Sequence, residues 1–164
     1  MPTILISACL LGERVRYDGE YILKDQPQLT QWQNEGRVIS ICPEVAGGLP
    51  IPRPPAEITT GEGATVLDGQ AKVMDIHGED KTEAFISGAQ AALNAAIEGN
   101  AQVVILKENS PSCGSTNTYD GTFSGTLVRG RGVTAALLER EGIRVFNEHQ
   151  IQEAAEYLNS MDGT

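Results

Sequence analysis

Each of the three cysteines in this chain follows closely after a short apolar run of the kind that forms a buried strand. The cysteines are Cys9, Cys42 and Cys113, and the runs before them cover residues 3–8, 37–41 and 102–106. If these runs are neighbouring parallel strands, the thiols meet at one sheet edge, where open α/β folds bind their ligands. Three thiolates from separate loops can hold a metal or an iron–sulfur cluster and leave one coordination position open.

The spacing of these cysteines does not match that of a zinc finger. The chain has no CxxC pair, and both histidines, His77 and His149, are predicted to lie on the surface away from the strand ends. An iron–sulfur cluster fits better, because thiolates hold such clusters without a fixed spacing. Zinc held by the cysteines and a carboxylate is one alternative. A non-catalytic redox sensor or small-ligand binding module is another.

A proline-rich stretch, residues 42–58, begins at the second cysteine and contains five of the eight prolines. Proline fixes φ and removes an N–H donor, so we predict a rigid loop here, with an interdomain linker as the alternative. Glu44 is two residues from Cys42 and is a candidate general acid or base. Arg53 is a candidate substrate donor, or it could tie the loop to Glu57.

A second polar stretch, residues 107–114, surrounds the third cysteine. Ser110 and Ser112 precede that cysteine and can donate hydrogen bonds to a ligand or to cluster sulfurs. Asp18, which follows the first cysteine, could close over the same site. Lys107 and Glu108 are expected to pair with each other or with Arg14, and turn formation alone could explain the remaining polar residues.

The elements that must position these side chains alternate between strand and helix. We predict strands over residues 3–8, 37–41, 102–106 and 143–146. Helices are predicted from Asp25 and Pro27 to about residue 35, over 81–98 after an Asp80 cap, over 133–141, and from an Asn147 cap to about 159. Residues 64–75 read as a hairpin around Asp68-Gly69. The fold class is therefore α/β, a Rossmann-like open parallel sheet with flanking helices and a small β-hairpin.

Composition narrows the class of protein further. The 164 residues predict one domain, and the net charge of −10 argues against nucleic acid or an anionic membrane as the main partner. The first basic residue is Arg14, and no apolar run approaches the roughly 20 residues that span a bilayer. An odd number of cysteines favours reduced thiols. We therefore expect a soluble, cytoplasmic protein of one domain, a monomer or homodimer.

The motifs around the three cysteines resemble those of one protein family. The stretches 7–12 with 16–19, 42–50 with 52–57, and 107–114 are similar to a short prokaryotic family, long catalogued as a domain of unknown function and represented by thiouracil desulfidase. The resemblance extends from residue 3 to about residue 146, without a departure in these motifs.

This resemblance implies a specific cofactor and reaction. It implies a 4Fe–4S cluster held by Cys9, Cys42 and Cys113, with the fourth iron free to bind sulfur. It also implies removal of sulfur from a thiolated uracil by hydrolysis, without net redox change. By position, Glu44 corresponds to the family's acid/base carboxylate, and Ser110 to its serine that contacts the substrate or an intermediate.

Overall fold

The computed structural model describes residues 2–11 and 27–162, and a four-stranded parallel sheet lies at its centre. Its strands are β1 (Thr3–Ser7), β2 (Val38–Ile41), β3 (Ala56–Ile58), β4 (Val73–Asp75), β5 (Ala101–Leu106), β6 (Asn117–Tyr119), β7 (Leu127–Arg129) and β8 (Arg144–Asn147). Its helices are α1 (Pro27–Asn34), α2 (Pro43–Ala46), α3 (Gly63–Leu67), α4 (Thr82–Glu98), α5 (Val133–Arg140) and α6 (Ile151–Asp162). A 3₁₀ turn over Ala8–Leu11 follows β1.

The order of strands in the parallel sheet is β2-β1-β5-β8. The chain adds β2 on one side of β1 and β5 on the other, so the strand order reverses between β1 and β5. In open α/β sheets the crevice outside the carboxyl ends at such a reversal is where ligands bind. The segments that leave β1, β2 and β5 carry the three cysteines, so the topology brings all three to this edge.

The two faces of the sheet are buried against different helices. Ile4 and Ile6 of β1 face a cluster that includes Leu29 and Trp32 of α1 and Leu158 of α6. Leu5 points to the other face and joins a cluster formed with α4 and α5. Side chains of a strand alternate between faces, so burial on both sides explains why β1 is apolar without interruption.

The α/β class and the parallel sheet predicted from the sequence are confirmed. The four predicted strands agree with β1, β2, β5 and β8 to within one residue at each end. Buried parallel strands are recognisable because apolar runs of this length are bounded by turn residues on both sides. The helices predicted at 81–98 and 133–141 are likewise present as α4 and α5.

The hairpin predicted at residues 64–75 is wrong in its position. Residues 63–67 form α3, in which the Thr65 hydroxyl accepts the Glu62 N–H at 3.1 Å at the start of the helix. Gly69, with φ of 78°, then ends the helix, because a residue with positive φ terminates a helix as well as it makes a tight turn. Antiparallel pairs form instead between β3 and β4 and between β6 and β7.

Two predicted helix starts also differ from the structure. Asp80 does accept the Thr82 N–H at 2.9 Å, but Lys81 holds the N-cap position of α4. Asn147 is the last residue of β8, not a cap, and its side-chain oxygen accepts the His149 N–H in a turn before α6. The prediction for Asp25 lies outside the described residues. Within the described ranges, no helix is both long and apolar enough to cross a membrane.

Candidate active site

A pocket of about 470 Å³ opens at the carboxyl edge of the sheet, and all three cysteines line it. Cys9 lies in the 3₁₀ turn after β1, Cys42 lies between β2 and α2, and Cys113 follows β5 after a six-residue loop. None of them forms a disulfide. The structure thus brings together three thiols that are far apart in the sequence, as predicted from their place after three strands.

The environment of Cys42 and Cys113 favours the protonated form of their thiols when no cation is present. Burial raises the pKa of the Cys113 thiol well above its usual value, and the nearby Glu44, Cys42 and Cys9 raise it further. Burial is also the main cause of the raised pKa of Cys42, although the Val45 backbone N–H opposes it. A bound cation would reverse this preference, because metal coordination deprotonates a thiol.

Glu44 lines the same pocket from α2, a single helical turn that begins with Pro43. Proline suits the first helical position, where its missing N–H would have no helical partner. Two glycines allow α2 to approach α4 closely. A Cβ at Gly47 would lie 2.0 Å from the Ala84 carbonyl oxygen, and one at Gly88 would lie 2.0 Å from that of Pro43. This backbone contact fixes the turn that carries Glu44.

Arg53 forms an ion pair with Glu44. Its Nε and Nη2 both donate to Glu44 Oε2, at 2.8 and 2.5 Å, and its Nη1 donates to the Pro50 carbonyl at 3.1 Å. The side chains of Arg53 and Glu44 are only 5% and 14% exposed. The predicted tie from Arg53 to Glu57 is therefore wrong, because the loop returns Arg53 to the glutamate at its own start. A role of Arg53 in substrate binding stays a prediction.

Ser110 connects Glu44 to the loop of the third cysteine. Its hydroxyl donates to Glu44 Oε1 at 3.3 Å. Its oxygen accepts the backbone N–H groups of Ser112 and Cys113, at 3.0 and 3.1 Å. A hydroxyl has two acceptor sites and one proton, so these two N–H groups direct the proton towards Glu44.

The other predicted site residues lie elsewhere. Ser112 is 1% exposed, and its hydroxyl pairs with that of Thr134 at 2.7 Å behind the pocket wall, so its role in substrate binding stays a prediction. Asp18 lies outside the described residues. Both histidines are exposed and do not line the pocket. Lys107 pairs with Glu148 at 2.9 Å and not with the Glu108 carboxylate, which corrects the expectation from the sequence.

Several pocket residues were not recognised as site residues from the sequence. Glu57 and Glu108 are buried carboxylates at the pocket wall, and Tyr119 and Phe123 are its aromatic residues from the β6–β7 hairpin. The position of Glu108, two residues after a buried strand, is the one signal that could have drawn attention to it. The others depend on tertiary packing.

The chemistry of this donor set fits an iron–sulfur cluster. Thiolates are the usual protein ligands of such clusters, and each thiolate can bind a different iron atom, so the sulfurs need not converge on one point. Among the described residues, no group of three or more His, Cys, Asp or Glu side chains could hold a single metal ion. The three thiols instead share one pocket without pairing with each other.

Fold and pocket together define an α/β protein with a thiol-lined ligand site at the reversal point of a parallel sheet. The family model for 2-thiouracil desulfurase matches residues 4–150. The chain therefore belongs to the 2-thiouracil desulfurase family.

Two individual proteins are similar to it over nearly their whole length. The Bacillus subtilis (strain 168) protein YbbK is 47% identical over 150 residues, which are 92% of this chain and 98% of YbbK. A solved structure described as the [4Fe-4S]-dependent thiouracil desulfidase TudS superposes with a TM-score of 0.89 at 45% identity. That superposition covers 97% of this chain and 99% of the other.

Proposed function

We propose that this protein removes sulfur from thiolated uracil-like compounds by hydrolysis, with Cys9, Cys42 and Cys113 as the ligands of a 4Fe–4S cluster. The observation that carries the proposal is a pocket lined by three cysteines that form no disulfide, beside an oriented carboxylate. Membership in the 2-thiouracil desulfurase family and the likeness to a [4Fe-4S]-dependent desulfidase support it. Cysteines that form no disulfide also support a cytoplasmic location.

The proposed reaction exchanges sulfur for oxygen without transfer of electrons. Water adds to the thione carbon, the carbon–sulfur bond breaks, and thiouracil and water become uracil and hydrogen sulfide. When bound, a cluster with one iron not held by a thiolate would supply a thiophilic Lewis acid for the substrate sulfur. The protein must then provide a proton acceptor for the water and a proton donor for the departing sulfur.

Glu44 is the residue best placed to move these protons. Its Oε2 is held by Arg53, whereas Oε1 accepts only the long hydrogen bond from Ser110 among those of the described residues. Each carboxylate oxygen has two acceptor sites, so Oε1 can also accept a proton from water. General acid–base catalysis of this kind contributes typically about 10²–10⁴ in rate.

Ser110 orients this carboxylate. Two backbone N–H groups fix its oxygen, so its hydroxyl keeps Glu44 turned towards the cysteine loop. Ser110 also lines the pocket, where it can contact the substrate.

The proposal is tested with protein purified without oxygen. Iron and acid-labile sulfide are quantified first, and sulfide release from 2-thiouracil is then measured in water enriched in ¹⁸O. We expect a brown, iron-containing protein that forms uracil carrying ¹⁸O without consuming a reductant. A colourless zinc protein, or an iron protein that releases no sulfide, would point to the non-catalytic alternatives. Uracil without the label would exclude hydrolysis.

The ligand set is tested by the variants Cys9→Ser, Cys42→Ser and Cys113→Ser. Each variant should lose bound iron and visible absorbance, because a serine hydroxyl is a poor substitute for a thiolate on iron. Ser160→Ala is the control, since Ser160 lies on α6 and does not line the pocket. A cysteine whose replacement leaves iron and activity complete is not a ligand.

Oxygen should inactivate the enzyme by destroying the cluster, because an iron without a thiolate is open to solvent and oxidant. Incubation with iron and sulfide under reducing conditions should therefore restore activity. Recovery with a thiol reductant alone, without iron, would indicate instead that a catalytic thiol had been oxidised.

A further inference from the structure

The β6–β7 hairpin supplies the pocket with an aromatic wall that the proposed chemistry does not use. Tyr119 and Phe123 from this hairpin line the pocket together with the cysteines and Glu44. Phe123 is partly buried at this position. The reactive groups all come from loops of the parallel sheet, whereas the two aromatic rings come from a separate two-stranded element.

A buried carboxylate fixes this hairpin in place. Glu57 of β3 is 8% exposed, and its Oε1 accepts the backbone N–H groups of Gly121 and Phe123, at 2.9 and 3.2 Å. The contact is close as well as polar, because a Cβ at Gly121 would lie 2.7 Å from the Ile58 carbonyl oxygen. Burying a carboxylate is unfavourable unless it is hydrogen-bonded, so the two N–H groups hold Glu57 and the hairpin together.

Phe123 adopts a backbone conformation that phenylalanine rarely takes. Its φ is 58°, in the left-handed region where a bulky side chain is an outlier and glycine fits without strain. Strained residues persist where the surrounding structure fixes them, and they cluster at ligand sites. Here Glu57 supplies that support, and the strained position keeps an aromatic ring at the pocket.

We propose that Phe123, held by Glu57, is a specificity-determining residue that stacks on the flat ring of the substrate. The inference rests on the proposed function for the identity of that ring. A thiolated uracil has an aromatic π face, whereas an aliphatic thioamide or a saturated ring has none. Stacking on an aromatic side chain is tolerant of ring substituents, so it selects for flatness and leaves the choice of sulfur position to the reactive groups.

Binding of the reaction product tests the inference without turnover. Calorimetry measures the dissociation constants of uracil and of 5,6-dihydrouracil, which has the same polar groups on a saturated ring. The comparison uses the wild type, Phe123→Leu and Phe123→Tyr. In Phe123→Leu the affinity for uracil should fall roughly 5- to 100-fold, the range of one lost stacking contact, while that for dihydrouracil changes little. Phe123→Tyr retains the ring and should keep the preference for uracil.

Tyr157→Ala is the matched control. Tyr157 is a half-exposed aromatic residue on α6 that contacts Phe146 and does not line the pocket, so both affinities should stay at the wild-type level. Circular dichroism confirms that each variant is folded. Equal losses for the two ligands in Phe123→Leu, or no loss at all, would overturn the inference.

The role of Glu57 is tested by its coupling to Phe123. Glu57→Gln weakens the acceptor for both N–H groups and should reduce the preference for uracil as well. If Glu57 acts only through the ring, the loss in the double variant with Phe123→Leu will be smaller than the product of the single losses. Losses that multiply would show that Glu57 does not act by positioning Phe123.

The failure of this inference is distinguishable from the failure of the proposed function. If the wild type binds uracil more tightly than dihydrouracil but releases no sulfide from 2-thiouracil, the stacking inference is supported and the desulfidase proposal is wrong. If sulfide is released from 2-thiouracil while Phe123→Leu leaves kcat and KM unchanged, the desulfidase proposal is supported and the stacking inference is wrong. When both proposals are right, Phe123→Leu raises KM for 2-thiouracil with little change in kcat, because stacking stabilises ground and transition states alike.

Discussion

Two carboxylates at the wall of one pocket, Glu44 and Glu108, differ in the groups that bind them. Among the described residues, Glu44 is bound only by side chains, the guanidinium of Arg53 and the hydroxyl of Ser110. Glu108 accepts four backbone N–H groups on Oε1, at 3.1 to 3.2 Å, and two side-chain donors on Oε2. Oε1 of Glu44 can therefore accept a further hydrogen bond, whereas both carboxylate oxygens of Glu108 are already surrounded by donors.

The two side-chain donors to Glu108 are Ser115 Oγ at 2.9 Å and Asn147 Nδ2 at 2.6 Å. Burial alone would raise the pKa of Glu108, but hydrogen bonds, led by the backbone N–H groups of Asn117 and Thr116, outweigh it and lower the pKa. A carboxylate of this kind is a poor proton acceptor near neutral pH. Its contacts span residues 109–117, so it holds the loop that carries Cys113 and Ser110 in shape.

The difference between Glu44 and Glu108 shows that burial at the pocket wall does not by itself identify a carboxylate that can transfer protons. The number and type of donors distinguish a group that can exchange a proton from a group that organises a loop. We therefore propose that Glu44 transfers protons and that Glu108 positions the loop.

Glu44→Gln should have the largest effect on turnover. Glutamine keeps the shape and one acceptor oxygen but cannot take a proton, so kcat should fall by about 10² or more. Iron content and binding of uracil should be retained, as measured by iron analysis and calorimetry. Near-normal turnover with full iron would refute the assignment, and Glu108 and Asp18 would be the next candidates.

Arg53→Lys should have the second largest effect. Lysine keeps the charge but cannot donate two fixed hydrogen bonds to Glu44 Oε2 and a third to the Pro50 carbonyl. Loss of one hydrogen bond to a charged group costs about 1.5–3 kcal/mol, so kcat should fall roughly 10- to 100-fold. Steady-state rates with iron-replete protein check this. A rise in KM with kcat unchanged would place Arg53 in substrate binding instead.

Ser110→Ala should reduce turnover less than Glu44→Gln. It removes one donor to Glu44 and one acceptor for two N–H groups, a loss of roughly 1–3 kcal/mol if the partners stay unsatisfied. Ser110→Thr keeps the hydroxyl and serves as the control. Complete loss of turnover in Ser110→Ala, with substrate binding intact, would show a direct chemical role for this serine.

Glu108→Gln should affect turnover per bound iron least and stability most. Its amide group would face the donor Asn147 Nδ2, so unfolding should become easier by roughly 1–3 kcal/mol. The lowered pKa adds a pH signature, because Glu108 stabilises the fold above its ordinary pKa of 4.5 and loses this contribution as pH falls through the folded-state value. The free energy of unfolding, measured with urea from about pH 6 to about pH 3, should fall less steeply with decreasing pH in the variant than in the wild type. If stability depends on pH identically in the variant and the wild type, Glu108 does not stabilise this loop.

Much of the framework was predictable from local sequence, and the contacts of the site were not. Apolar runs defined β1, β2, β5 and β8, and their order placed the cysteines at one edge. The dipeptide Asp68-Gly69 misled because it ends a helix as readily as it makes a hairpin turn. The pairing of Arg53 with Glu44, and not with Glu57, depends on the path of the proline-rich loop in three dimensions. The donors around Glu108 come from its own loop, as far as Asn117, and from Asn147 of β8, and no local pattern reveals that they converge on one carboxylate.

The most direct test of the account is the rate of sulfide release from 2-thiouracil per bound iron, compared between Glu44→Gln and Glu108→Gln. Both variants replace a pocket glutamate by glutamine. A difference between their rates therefore reflects the different roles of the two glutamates and not the kind of substitution. We predict that the rate falls by about 10² or more in Glu44→Gln and by less than about tenfold in Glu108→Gln. Equal losses, or a larger loss in Glu108→Gln, would contradict it.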